Sequence, residues 1–375
     1  MNTTDIRPFR IEIPQADLDD LHDRLARTRL PRPASTESWD LGTPNSYLAD
    51  TVARWQDVDW RAQEARLNSF PQYVSDIDGQ SVHFVHVPSA VEGATPLLLV
   101  HPYPGTFADY LDLVGPLTDP EAYGGDASDA FSVVIPSIPG FGFSTPLADG
   151  DWTMARVARV LDTLMRRLGY PSYGVHGSDA GALVSRELGL MEPEGFLGMH
   201  VLQLFSFPSG DPAEFEHLEP ADHAGLEHLQ WFVSVGAYNT MNASRPQTIG
   251  AAIADSPVGQ LAYSELFNSF GNGTSLVTID QILLDVTLYW LTNTQATAGR
   301  YHYAEQRSGA QPRVNAARTG VAVFADDFRT IRTFAERDNS NVVHWAYFDQ
   351  GGHYAMLERP DDVVADLRTF FRDAS

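Results

Sequence analysis

A chain of 375 residues with 43% hydrophobic and 20% charged content is long enough for one large α/β domain with an insertion, or for two domains, and can bury a full core. Its net charge of −24, with all 25 basic residues arginine, argues against nucleic acid or an anionic membrane as partner. The absence of cysteine excludes disulfides, thiolate catalysis and cysteine metal sites.

The opening "MNTTDIRPFRIEIP" has neither the basic start nor the apolar core of a signal peptide, so a soluble, cytoplasmic protein is expected. No apolar run nears the roughly 20 residues that span a bilayer. In "QADLDDLHDRLART", Leu18, Leu21 and Leu25 recur at helical spacing, and "YLADTVARWQDVDWRAQEARLNSF" continues the pattern after the Pro-rich "LPRPASTESWDLGTP". Residues 1–70 are therefore expected to form a helical meander. "YVSDIDGQSVHFVHVPS" follows, with an Asp-Gly pair between two alternating segments that predicts a hairpin. His83 and His86 in it point to opposite faces of a strand, as structural residues.

From Pro96 short apolar strands end at polar or Gly-rich loops: "PLLLV" runs into "HPYPG", "FSVVIPS" into "IPGFGFS", and "YGVHG" into "SDAG". Alternation of these strands with helical segments such as "ARVARVLDTLMRRLGY" predicts a mostly parallel sheet with helices on both faces, whose reactive residues belong at the carboxyl ends of the strands. The alternation stops after "MHVLQLF" and resumes at "GVAVFADD". The pattern divides the chain into a meander (1–70), a first core part (71–205), a helical lid insertion (206–310) and a second core part (311–375).

The stretch "YGVHGSDAGALVS" has the form of an α/β-hydrolase nucleophile elbow, a strand leading through a sharp turn into a helix. That turn needs small residues two before and two after the nucleophile. Centred on Ser178 the flanks are His176 and Ala180; centred on Asp179 they are Gly177 and Gly181. The aspartate frame fits better, and a carboxylate is already ionised at neutral pH. The plainer alternative is an ordinary turn with Asp179 capping the next helix.

Downstream, Asp326 or Asp327 and then His353 each follow a predicted strand, in the chain order nucleophile, acid, histidine. A backbone N–H from "HPYPG" and one from the residue after the nucleophile, Tyr103 and Ala180, would form an oxyanion hole, and the tight turn favours a cis bond before Pro104. His217, His223 and His228 are six and five residues apart, a spacing that does not share one helix face. No metal and no cofactor is expected.

Together these residues carry a family resemblance. "DDLHDRLARTRLP", "VDWRAQEARLNSFPQY" and "DIDGQSVHFVHVPS" resemble the N-terminal region of microsomal-type epoxide hydrolases. "HPYPG" stands where that family has His-Gly-Trp-Pro-Gly, "GSDAG" where it has Gly-Gly-Asp-Trp-Gly, "ADSPVG" resembles a lid signature, and "GGHYAMLERP" matches the base loop. The lack of an apolar N-terminal anchor makes the chain similar to the soluble bacterial branch.

The resemblance implies an epoxide hydrolase that forms a vicinal diol through a covalent ester on Asp179, with His353 as base and Asp327 as its acid. Tyr238 falls on the first lid tyrosine that protonates the departing oxygen. For the second, the family's Arg-x-Tyr-x-Glu meets "RYHYAEQ", which offers His302 counted from Arg300 and Tyr303 counted from Glu305; a phenol is the better donor, so Tyr303 is preferred. Ala180 replaces the family's bulky Trp and is expected to widen the pocket, with Trp231, Phe232 and Trp290 as walls. The expected partner is a small-molecule epoxide, bulky or aromatic, and the all-arginine coding suits natural-product biosynthesis; homodimerisation is left open. An aspartate-nucleophile dehalogenase of the same fold and a non-catalytic binding protein are the rivals.

Overall fold

The computed structural model describes residues 6–33, 37–216 and 218–372. It opens on a short strand, β1 (Ile6–Phe9), followed by α1 (Gln15–Ala26), α2 (Asn45–Gln56) and α3 (Trp60–Leu67). Helices are thus found where the leucine spacing predicts them, at α1, and again in the two segments that follow the Pro-rich stretch. Strand β1 has no alternation long enough to read from sequence, and it exists because it pairs with β2 (Gln72–Ile77). The expected hairpin joins β2 to β3 (Gln80–Val87), and both turn residues, Asp78 and Gly79, take positive φ, the backbone that an Asp-Gly turn permits.

The core adds β4 (Thr95–Val100), α4 (Leu111–Thr118), β5 (Phe131–Pro136), α5 (Met154–Arg167), β6 (Tyr173–Gly177), α6 (Ala180–Met191) and β7 (Phe196–Val201). Between β7 and the next strand the described residues form helices: α7 (Pro220–Val235), α8 (Ala237–Ser244), α9 (Pro246–Ile253), α10 (Pro257–Tyr263), α11 (Ile279–Thr292), α12 (Gln295–Ala298) and α13 (Arg300–Arg307). The chain then returns to the sheet with β8 (Thr319–Phe324), α14 (Arg332–Asp338), β9 (Val342–Phe348), α15 (Ala355–Glu358) and α16 (Pro360–Phe371).

Among the described residues nine strands form one sheet in the order β1-β2-β3-β5-β4-β6-β7-β8-β9. Pairing is antiparallel from β1 to β5 and parallel from β5 through β9. Both faces are covered, because alternate strand residues enter different clusters. Leu97 and Leu99 pack with Leu113 and Leu367 of α4 and α16, whereas Leu98 and Val100 pack with Leu161 and Val184 of α5 and α6. That two-residue period is the pleat of a strand buried on both sides. Since β4, β6, β8 and β9 run in the same direction, the loops that leave their carboxyl ends meet at one edge of the sheet.

Candidate active site

The turn between β6 and α6 is as tight as the glycine spacing requires. Asp179 sits at φ 49°, ψ −111°, a backbone conformation that side chains rarely adopt. A Cβ on Gly177 would stand 2.2 Å from the Gly181 carbonyl oxygen, and one on Gly181 would stand 1.9 Å from that of Val100. Neither position admits alanine without moving backbone. Asp179 projects from this turn, while Ser178 is fully buried and donates toward Gln203 Oε1 (3.2 Å) and the His353 carbonyl (3.3 Å).

Two amides hold one carboxylate oxygen of Asp179. Tyr103 N–H, in the loop after β4, donates to Oδ1 at 3.0 Å, and Ala180 N–H, the first residue of α6, donates to the same atom at 2.6 Å. The Tyr103–Pro104 bond is cis. The other oxygen, Oδ2, lies 3.7 Å from His353 Nε2. His353 Nδ1 donates to Asp327 Oδ1 at 2.8 Å, which fixes the ring and leaves Nε2 buried without a hydrogen-bond partner. Of the two candidate acids, Asp327 therefore meets His353. Asp326 has its main-chain N–H bound to the Gly351 carbonyl.

Electrostatics follow from burial. Burial pushes the Asp179 carboxyl above its ordinary range, opposed by His353 and by the two amides. For His353 burial acts downward, but Asp327 and then Asp179 outweigh it and raise the imidazole to about 9. The two groups thus face each other just beyond hydrogen-bond reach.

Asp179 and His353 open onto a cavity of about 360 Å³. Its walls are mostly apolar, with Leu183, Phe205, Phe207, Phe232 and Phe328 around the reactive pair, and Tyr238, Tyr301 and His302 on the side of the helices that follow β7. Tyr238 and Tyr301 are both pushed well above the usual phenol range, first by burial and next by the Asp179 charge.

Tyr303 is not brought to the cavity. On α13 each residue advances about 100°, so Tyr303 lies some 200° round from Tyr301. It is 40% exposed, with the Arg307 guanidinium 3.6 Å from its ring centre, whereas Tyr301 is 8% exposed. His302 does line the cavity, but its Nε2 is bound to Asn239 Oδ1 at 3.0 Å and burial lowers its pKa to about 3. A neutral imidazole tied in this way is a poor acid.

Of the expected walls, Phe232 lines the cavity. Trp231, one residue earlier on α7, turns instead toward His228 and Phe270, and Trp290 on α11 packs under the Arg24 guanidinium. Ala180 is fully buried, and it is Leu183, three residues on along the same helix face, that reaches the cavity. The small side chain at 180 therefore leaves the wall to its neighbour.

Gln203, Tyr301, Phe205 and Phe328 were absent from the sequence-level site. Gln203 had a signal, as one of two polar residues, with His200, in the otherwise apolar "MHVLQLF". Tyr103, expected only as an amide donor, also ties down helices that follow β7: its hydroxyl accepts from Asn242 Nδ2 (2.8 Å) and Gln295 Nε2 (2.6 Å). Beneath the same loop Thr106 Oγ1 donates to Asp285 Oδ1 of α11 at 2.6 Å, and Asp285 shares a buried contact with Asp109.

His217 lies outside the described residues, and His223 and His228 are five apart on α7. Among the described residues, His200, His344 and Asp366 have ligand atoms within 4.8 Å of one another. Their donors are already engaged: His200 Nε2 meets Asp366 Oδ2 at 2.8 Å and His344 Nε2 meets Oδ1 at 2.7 Å. This is a complete hydrogen-bonded bridge between two strands and a helix.

A family profile described as "Epoxide hydrolase N terminus" matches residues 6–110, and one described as "alpha/beta hydrolase fold" matches residues 95–265. The chain is 39% identical to a Stigmatella aurantiaca protein provisionally named an epoxide hydrolase, over 98% of this chain and 85% of that one. It is 29% identical to epoxide hydrolase 1 of Sus scrofa, over 97% and 88%. The solved structure of Aspergillus niger epoxide hydrolase superposes with a TM-score of 0.85 at 29% identity, over 98% and 96% of the two chains. Among the described residues no helix is long and apolar enough to cross a membrane. With an elbow, a mostly parallel sheet and a relative of this identity along nearly its whole length, the chain belongs to the microsomal-type epoxide hydrolase family and is an epoxide hydrolase of the α/β-hydrolase fold.

Proposed function

We propose that the enzyme opens its epoxide through a covalent ester on Asp179 and releases a vicinal diol by hydrolysing that ester. The observation that carries this is the division of labour within one carboxylate: Oδ1 is held by two amides, while Oδ2 faces the cavity beside His353. Oδ2 attacks a ring carbon, the carbon–oxygen bond of the epoxide breaks, and the departing oxygen takes a proton from a phenol. Tyr238 and Tyr301 are the donors that suit this step, because both line the cavity and both are held protonated. The helices between β7 and β8 act as the lid that carries them, and segment 206–310 is its proposed extent.

In the second step His353 Nε2 takes a proton from water, whose oxygen attacks Asp179 Cγ. Negative charge gathers on Oδ1, where the amides of Tyr103 and Ala180 already point. The Cγ–Oδ2 bond then breaks, Oδ2 leaves with the diol, His353 returns the proton to it, and the water's second proton, left on the Asp179 carboxyl, restores the phenol that was deprotonated in the first step. Ester formation also removes the Asp179 charge, one of the causes that hold His353 protonated. The first step thus moves the imidazole toward the neutral form that a base needs. The aromatic and aliphatic walls of the cavity support a bulky or aromatic epoxide as substrate.

A single turnover in ¹⁸O water, with enzyme in excess over styrene oxide, tests the ester. The label is expected in the Asp179 carboxylate and absent from the first diol. Label appearing in that diol would mean direct attack by water and would overturn the covalent route.

A further inference from the structure

Gln203 lies two residues past the end of β7, fully buried, and it touches both halves of the proposed machinery. Its Oε1 accepts the Asp179 main-chain N–H at 2.6 Å, and its Nε2 donates to Asp327 Oδ2. The orientation of the amide is forced, since a main-chain N–H needs an acceptor and an ionised carboxylate needs a donor. Asp327 spends its remaining inward oxygen, Oδ1, on His353 Nδ1–H. Ser178, the spacer before the nucleophile, points its hydroxyl toward the same Oε1 and toward the His353 carbonyl. One side chain therefore ties the strained Asp179 turn to the acid that aims the histidine, across two separate strand ends.

Resting on the Asp179 ester reading, we infer that Gln203 is a positioning residue for the hydrolysis step: its Nε2 donor holds Asp327 in the orientation that receives His353 Nδ1–H, and the reaction's first step does not depend on that donor. Ester formation uses Asp179 Oδ2 and the lid phenols, and no hydrogen bond links Gln203 to these groups. Ester hydrolysis needs the imidazole aimed at a water beside Cγ, and that aim is set through Asp327. Loss of the donor separates the two rates.

Two variants test this. Gln203→Glu is nearly isosteric and keeps an acceptor for the Asp179 amide. It offers Asp327 a donor only while its own carboxyl is protonated, so at low pH it mimics glutamine and at high pH it sets two carboxylates against each other. Gln203→Leu removes the donor at every pH. Rapid-quench kinetics with intact-mass detection, using styrene oxide, resolve ester formation from ester decay. For the Glu variant at high pH, which keeps the acceptor for the Asp179 amide, we expect formation within about threefold of wild type and decay slowed at least tenfold, below the roughly 10²–10⁴-fold that loss of a general base costs; the Leu variant also strips that acceptor, so its expected mark is decay slowed more than formation. In the Glu variant the defect should deepen as pH rises and fade as pH falls, a dependence absent from the Leu variant.

Equal slowing of both steps in the Glu variant at high pH, or its decay there at the wild-type rate, would overturn the assignment. His353→Gln in the same assay keeps the two readings apart. If it accumulates ester and the Gln203 variants do not, only the positioning role fails. If it never accumulates ester while wild type forms diol, the ester reading itself fails.

Discussion

His353 Nε2 stands 3.7 Å from Asp179 Oδ2 with no hydrogen-bond partner, while the opposite nitrogen of the same ring is fastened to Asp327 at 2.8 Å. One end of the imidazole is fixed and the other is free to meet a reacting atom, which is the geometry a base needs when it must act on water beside an ester.

The charges of this pair predict a shift in acidity during turnover. His353 is raised to about 9 in the resting enzyme, partly by the Asp179 charge, and esterification removes that charge. The pH limb for decay of trapped ester should therefore lie below the value at which His353 titrates in free enzyme by NMR, with decay falling as pH drops. A decay limb at or above the free-enzyme value would contradict the coupling. The stability sign is also fixed: a histidine raised in the fold stabilises most below its ordinary pKa of about 6.5 and loses that contribution as pH rises through about 9.

The two faces of α13 predict unequal effects of removing hydroxyls. Tyr238→Phe and Tyr301→Phe should each lower kcat/KM for an aryl epoxide by roughly 10²-fold, the lower range for a general acid. Tyr303→Phe should stay within about twofold, because its ring faces out under Arg307. Equal losses at 301 and 303 would place the second donor on the wrong face.

Asp366 joins His200 on β7 to His344 on β9 across Gly320, which lies in register with both on β8. Burial acts upward on its carboxyl, but the two histidines outweigh it and hold it below the ordinary range. Its contribution is thus present above about pH 3.9 and lost as pH falls through the lowered value. Asp366→Asn should cost about 3 kcal/mol in urea unfolding, with kcat of the folded enzyme unchanged. A loss of activity without loss of stability would mean that this bridge feeds the active site.

Under the Tyr103 loop, burial raises both Asp109 and Asp285, and the two form a coupled pair. Asp109 Oδ1 is buried with no hydrogen-bond partner, and a proton shared between the carboxyls is the expected way to satisfy it. Raised carboxyls make the fold less stable as pH climbs above their unfolded values. Asp285→Asn supplies an N–H in place of that proton while keeping an acceptor for Thr106. Its stability relative to wild type should increase between pH 5 and pH 8 by on the order of 1 kcal/mol. A difference that does not change with pH would show that no proton is shared there.

The sequence by itself determined the α/β framework and the reactive elbow, because both depend on local chemistry. Strand and helix periods repeat over a few residues, and the demand for Gly177 and Gly181 around Asp179 comes from a turn too tight for a Cβ. Chain order also pointed to His353 and to a pair of acids. Tertiary structure alone separated Asp327 from its neighbour Asp326, since only one of them reaches His353 Nδ1. It placed Tyr301 rather than Tyr303 at the cavity, since motif spacing counts residues whereas the face of a helix depends on where that helix begins and how it docks. It also brought in Gln203, whose partners are 24 and 124 residues away along the chain. Contacts of that kind are set by how strand ends converge at one edge of a sheet, and no local pattern encodes them.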